Sequence, residues 1–187
     1  MGEIARSRSP AGNVWETAGL GRDEVRISKV LAWWLNPLAS HGLAIPLAEA
    51  LWREAVGAGG TEFDVGLLRR SAVEVCPLAD QGDRVDVALE GDDFILFIEV
   101  KVDAGLQPDQ LSRYALAAER AAFLRNKARY HVIYLAPAPT ALPANCVWIS
   151  WRQTARALVA ASSFASNAYD QQSALQFAEY MKRFERA

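Results

Sequence analysis

Residues 94–102 read F-I-L-F-I-E-V-K-V, the most strand-like run in a chain of 187 residues. Side chains alternate across a strand. Phe94, Leu96, Ile98 and Val100 therefore share one face, and Ile95, Phe97, Glu99 and Lys101 share the other. A strand this apolar is expected to be buried, and burying unpaired charge is costly. The carboxylate and the ammonium two residues apart need a physical reason.

The run just upstream supplies one. Residues 84–89, R-V-D-V-A-L, alternate again. Val85, Val87 and Leu89 form the apolar set, and Arg84, Asp86 and Ala88 face the other way. E-G-D-D at 90–93 is turn chemistry, so the two runs read as a hairpin. With Asp92 and Asp93 at the turn, Asp86 falls opposite Glu99, with Cβ atoms about 5 Å apart. A register shifted by two leaves them diagonal at roughly 7–8 Å, still on one face. Two carboxylates so placed repel by about 1–4 kcal/mol, depending on the effective dielectric. Protonating one, splaying both into water, or neutralising them with a cation relieves this. Lys101 brings one positive charge and leaves the trio at net minus one. Carboxylates at this spacing suit a hard divalent ion such as Mg²⁺, which takes one or two carboxylates, waters and substrate phosphate. The competing reading is an exposed Glu99–Lys101 pair on a half-solvated sheet, with Asp86 in water.

Outward from the hairpin, residues 23–36 carry helical apolar spacing, with Asp23 as N-cap and Pro37 as stop. Residues 43–56 form a second helix, ended by Gly57, Gly59 and Gly60. Residues 70–76 alternate as a first strand, and residues 108–125 return to helical period. Residues 130–136 are a strand, residues 147–150 a short one, and helices over 151–163 and 170–185 close the chain. The order α-α-β-β-β-α-β-β-α-α implies an α/β fold. A three-strand antiparallel meander, a crossover helix and further strands form one mixed sheet with helices on both faces. The length suits one domain over 21–187, with a partly flexible segment over 1–20. Net charge is -2, which neither favours nor excludes nucleic acid. No run approaches the roughly 20 apolar residues of a membrane span. Cys76 and Cys146 are isolated, as expected of a reducing cytoplasm.

Asp86 followed by Glu99-Val100-Lys101 across a hairpin resembles the D…(D/E)-x-K core of the PD-(D/E)XK nuclease superfamily. Gln110-Leu111-Ser112-Arg113-Tyr114 is similar to the Q-x-x-x-Y motif of its RecB-like members. S-K-V-L-A-W-W-L-N-P-L-A-S-H-G, from Ser28, looks like the N-terminal helical signature of a prokaryotic branch. The resemblance covers roughly residues 23–155 and departs at the name-giving proline, where Val85 stands. It implies a restriction-endonuclease-like core and metal-dependent hydrolysis of nucleic acid, DNA ahead of RNA, with Mg²⁺ or Mn²⁺. Asp86 and Glu99 then stand as metal ligands, with the Val100 carbonyl a third and Glu24 an acid that some branches add. Lys101 would orient water and stabilise developing charge. Gln110 and Tyr114, i and i+4 on one helix face, would support the site or contact nucleic acid.

Several readings stand beside these. An inactive nuclease-fold module binding nucleic acid or a partner protein is the alternative, and an oligomer is compatible with either. Glu24 also suits the first turn of its helix, His41 and His131 read as structural, and Glu74 is a possible further acid. Trp33, Trp34 and Trp52 are expected to pack the helical layer. Arg113, Arg120, Arg125, Lys127 and Arg129 form either a phosphate-facing stripe or a solvated face. No Ser-His-Asp, Cys-His, Walker or G-x-G-x-x-G arrangement competes.

Overall fold

The computed structural model describes residues 12–57, 64–65, 67–77 and 84–185. Gly59, Gly60 and residues 1–11 of the expected N-terminal segment lie outside them. The elements run α1 (Val14–Thr17), α2 (Glu24–Trp34), α3 (Ala44–Val56), β1 (Leu68–Val75), β2 (Val85–Gly91), β3 (Phe94–Val100), α4 (Gln110–Leu124), β4 (Arg129–Leu135), β5 (Cys146–Ile149), α5 (Trp151–Ala161) and α6 (Ala168–Met181). The five strands form one sheet in the order β1-β2-β3-β4-β5. β1, β2 and β3 pair antiparallel, and β3–β4 and β4–β5 pair parallel. α4 makes the crossover from β3 to β4. This is the expected α/β mixed sheet.

β3 is central and buried at every position. Its even face, Phe94, Leu96, Ile98 and Val100, enters the larger core with α2, α3, α5 and α6. Ile95 and Phe97 enter a second core under α4, with Leu111, Tyr114, Ala117, Ala118 and Ala121. Each such large apolar side chain contributes about 1.5–3 kcal/mol by leaving water. A strand sandwiched this way reads as a near-continuous apolar run, which is why only Glu99 breaks it.

Helix starts follow the capping chemistry. Asp23 accepts the N–H of Arg26 at α2, and Asn167 accepts that of Asp170 at α6. Ser150 and Gln153 form a reciprocal capping box on α5. α3 has no side-chain cap of its own. Buried His41 instead accepts the Leu43 N–H through Nδ1 and donates through Nε2 to the Trp33 carbonyl.

The β2–β3 register pairs Val87 with Ile98, Ala88 with Phe97, Leu89 with Leu96 and Glu90 with Ile95. Its next step sets Asp86 across from Glu99, as the two-residue turn predicts. Gly91 precedes that turn because the Phe94 ring lies over it. A Cβ there would meet the ring at 2.0 Å.

Two local expectations change, at Val85 and Trp33, and the segment expected to be partly loose carries one short helix. Residues 14–17, inside the segment expected to be partly loose, form α1 on α6, with Trp15 against Trp34 and Phe177. Val85 joins the core under α4 rather than that of Val87 and Leu89. The simple alternation fails beside Glu74, whose backbone is left-handed at φ 49°. Trp34 and Trp52 pack inside, but Trp33 is 42% exposed because it lies on the outer side of α2.

Candidate active site

The open end of the β2–β3 hairpin meets the first turn of α4. Here the extended backbone of β2 turns Asp86 to the same side of the sheet as Glu99. Asp86 Oδ2 accepts the Val100 N–H at 2.8 Å. This side-chain bond stands where the strand ladder has opened, so it fixes the carboxylate against β3. Lys101 donates its N–H to the Leu135 carbonyl of β4 at 2.8 Å. Odd residues of β3 therefore bond toward β4, and even ones toward β2. The Val100 carbonyl leaves the strand on the same edge as its N–H, toward Asp86.

Glu99 is 2% exposed. Its Oε1 lies 2.6 Å from Lys101 Nζ and accepts from Gln110 Nε2 at 2.7 Å. Its Oε2 is buried with no hydrogen-bond partner among the described residues. An orphaned carboxylate oxygen beside a second carboxylate is what a cation would satisfy.

Gln110 is fixed from both ends of its amide. Oε1 accepts the Gln107 N–H at 3.1 Å, while Nε2 donates to Glu99 and, at 3.1 Å, to the Tyr114 hydroxyl. That orientation needs one acceptor and one donor group, so a glutamate here would fail. Tyr114 in turn donates to the Arg84 carbonyl at 2.6 Å, just ahead of β2. The Gln110–Tyr114 pair thus ties β2, β3 and α4 together at the site, as their i,i+4 spacing allows.

The electrostatics record the crowding. Burial, then the Asp86 charge, pushes Glu99 up to about 7, against the pull of Lys101. Burial also raises Asp86, opposed by the Val100 N–H and Lys101. Burial alone would lower Lys101, but the hydrogen bond and charge of Glu99, with Glu24 and Asp86, hold it above its ordinary value. Tyr114 is raised by burial and by the Glu99 charge.

A family model described as the PD-(D/E)XK nuclease superfamily matches residues 12–183. The chain belongs to that superfamily. No curated protein and no solved structure matches it. In this member of the nuclease superfamily the position before Asp86 holds Val85, fully buried in the core under α4. An apolar side chain of that size fills the place without a proline.

The nuclease core brings Asp86, Glu99, Val100, Lys101, Gln110 and Tyr114 together. Glu24 arrives beside them from the first turn of α2. Its Oε1 accepts the N–H groups of Val102, Asp103 and Ala104, and its Oε2 lies 4.0 Å from Lys101 Nζ. No group of three His, Cys, Asp or Glu side chains able to hold a metal forms among the described residues. Asp86 and Glu99 are the two carboxyls that the β2–β3 register sets side by side here.

Other candidates fall away. Glu74 lies across from Asp86 on β1, but its carboxylate pairs with Lys29 and Arg84. His41 braces the α2–α3 connection, and His131 packs on Trp52. The basic stripe is largely matched by the hairpin: Arg125 and Lys127 pair with Glu90, and Arg129 pairs with Asp93. Arg120 stands on the outer face of α4 beside exposed Leu116, Phe123 and Leu124. One site partner had no sequence signal. Trp151 donates its indole N–H to the Lys101 carbonyl at 2.9 Å from fifty residues away.

Proposed function

We propose that this superfamily member is a metal-dependent nuclease that hydrolyses phosphodiester bonds of nucleic acid, with DNA as the primary substrate. The reading is carried by the side-by-side carboxyls of Asp86 and Glu99, one oxygen of which is buried and unpartnered, with the Lys101 ammonium against them. Residues 21–187 act as its single domain. Cys146, whose thiol burial pushes up to about 11, behaves as a core residue, which fits a reducing cytoplasm.

Asp86, Glu99 and the Val100 carbonyl would hold the ion. A bound Mg²⁺ or Mn²⁺ supplies a water of lowered pKa and neutralises charge on the scissile phosphate. The chain does the rest. The Val100 N–H and the Gln110 amide keep both carboxylates aimed before substrate arrives. Near neutrality Glu99 carries a proton part of the time, and it would hold a cation in its ionised form. Lys101 stays charged and places a point charge beside the attacking water and the developing oxyanion. The walls of the second core exclude bulk water behind it.

The test is cleavage of linear and supercoiled DNA and of RNA with Mg²⁺ or Mn²⁺, comparing the native chain with Asp86→Asn and Glu99→Gln. Cleavage by the native chain alone, lost with chelator, supports the reading. Absence of both Mn²⁺ binding and cleavage in the native chain rejects it. Metal-independent retention of nucleic acid would point to the inactive binding module.

A further inference from the structure

The backbone that follows Lys101 is gripped from outside the sheet. Glu24 Oε1, in the first turn of α2, accepts the N–H of Val102 at 2.8 Å, of Ala104 at 3.2 Å and of Asp103 at 3.3 Å. Two residues earlier, Arg22 clamps the Asp103 carboxylate through Nε at 2.6 Å and Nη2 at 2.7 Å. Trp151 holds the Lys101 carbonyl, and Leu135 takes the Lys101 N–H. The lysine is therefore pinned at its own backbone and again just beyond it.

The geometry assigns Glu24 as a positioning residue rather than a metal ligand: its carboxylate anchors the Val102–Ala104 backbone and so sets where the Lys101 ammonium stands. This assignment rests on the nuclease reading above for its catalytic consequence, but its structural half does not. A carboxylate oxygen has two lone pairs, and three N–H groups already converge on Oε1. The other oxygen, Oε2, faces Lys101 Nζ at 4.0 Å. Lys101 Nζ thus stands between Glu99, at 2.6 Å, and Glu24. A helix-dipole role alone would leave the Glu24 side chain in water near its own helix. Instead it reaches residues 78 to 80 positions away. Asp23 already caps α2, so the helix start is a fixed platform from which Glu24 can hold the segment.

The experiment compares the full chain with Glu24→Gln and Glu24→Ala by three readouts: Mn²⁺ affinity, amide hydrogen exchange of Val102–Ala104 in the metal-free protein, and kcat against KM for DNA cleavage. Glutamine keeps an acceptor oxygen but is a poor ligand for a hard cation. Glu24→Gln should keep slow exchange, Mn²⁺ affinity within about threefold of native, and most of kcat. Glu24→Ala should exchange those amides at least about tenfold faster and lose roughly 10- to 100-fold in kcat, with KM and Mn²⁺ affinity little changed. Loss of Mn²⁺ affinity in Glu24→Gln as deep as in Asp86→Asn would make Glu24 a ligand and overturn the assignment. Native-like exchange in Glu24→Ala would overturn it too. If the native chain neither binds Mn²⁺ nor cuts, the nuclease reading fails, and the exchange readout still decides whether Glu24 anchors the segment.

Discussion

At the turn end of the β2–β3 hairpin, Asp92 pairs with Arg69, Asp93 with Arg129, and Glu90 with Arg125 and Lys127. At the open end, buried Glu99 lies against Lys101, and half-buried Asp86 feels the same ammonium charge. The two ends use the same residue types about 20 Å of strand apart. At the turn, each acid has a basic partner, and Arg69 holds Asp92 below the usual carboxylate range. At the site, acids outnumber the base and burial pushes both carboxyls up. Charge that is cheap to place can tie a turn together. Charge that is costly to place, and is kept by Gln110, Tyr114 and the Val100 N–H, marks where binding is to be done.

The sharpest way to break this contrast is to remove the costly charge. Asp86→Asn and Glu99→Gln keep the shape and an oxygen for each existing N–H partner. Mn²⁺ binding and cleavage should fall to background, while the metal-free protein melts at the same temperature or higher, because a repulsion is relieved. Lys101→Ala should also abolish cleavage but lower the metal-free melting temperature, since it strips the Lys101 charge from two acids. Melting curves with and without Mn²⁺, beside a nuclease assay, separate the outcomes. A metal-free Asp86→Asn protein that unfolds would make that carboxylate a structural partner and the contrast false.

The pH dependence comes next in size. Glu99 titrates at about 7 in the fold against 4.5 ordinarily. A carboxyl raised in the folded state stabilises fully below its unfolded value and loses that contribution as pH climbs through its folded value. The metal-free protein should therefore lose roughly 2–3 kcal/mol from this group between about pH 5 and pH 8. Glu99→Gln should flatten that fall, and Mn²⁺ should reverse it by binding the ionised pair. Urea melts at pH 5.5 and 8 measure this. Equal slopes in native and Glu99→Gln protein would mean the crowding is not felt in solution.

Much of this site could be read in the sequence because its geometry is local. The period of two, the D-D turn and the i,i+4 step of Gln110 and Tyr114 each fix a face within about fifteen residues. What escaped lies at long range. The Trp151 indole, the Arg22–Asp103 clamp and the Glu24 anchor join elements 50 to 81 positions apart, and no periodicity carries that information. Parity failed where the backbone left the ideal strand, at Val85 beside left-handed Glu74. The basic stripe stayed open between its two readings because Glu90, on β2, and Asp93, in the hairpin turn, become neighbours of Arg125, Lys127 and Arg129 only in the fold.

At the turn end, packing should matter more than charge. Gly91→Ala puts a methyl into the Phe94 ring, whose nearest atom lies 2.0 Å away, and Phe94 is fully buried. The ring must leave its site in the larger core, at a cost of about 1–3 kcal/mol. Denaturant melts should show the loss in the midpoint with the slope unchanged, and Mn²⁺ affinity should stay native. A matching loss of Mn²⁺ affinity would mean the two ends are mechanically coupled through the hairpin register.

The smallest effect belongs to the surface pair. Arg69 forks onto Asp92 with Nε–Oδ1 at 2.7 Å and Nη2–Oδ2 at 2.6 Å, and both side chains are solvated. Such pairs trade one set of hydrogen bonds for another and lose side-chain freedom in doing so. The lowered value of Asp92 predicts that whatever the pair contributes is present above the ordinary carboxylate range and lost on acidification. Arg69→Ala should leave the thermal midpoint at neutral pH within scan reproducibility, and 0.5 M salt should erase any residue of a shift. Cleavage should be native. If Arg69→Ala instead destabilises the protein as much as Gly91→Ala, and salt does not close the gap, the turn-end charges are structural anchors. The contrast between cheap and costly charge would then have to be redrawn around Asp92, whose backbone N–H also bonds the Leu67 carbonyl and so ties the turn to the strand that carries Arg69.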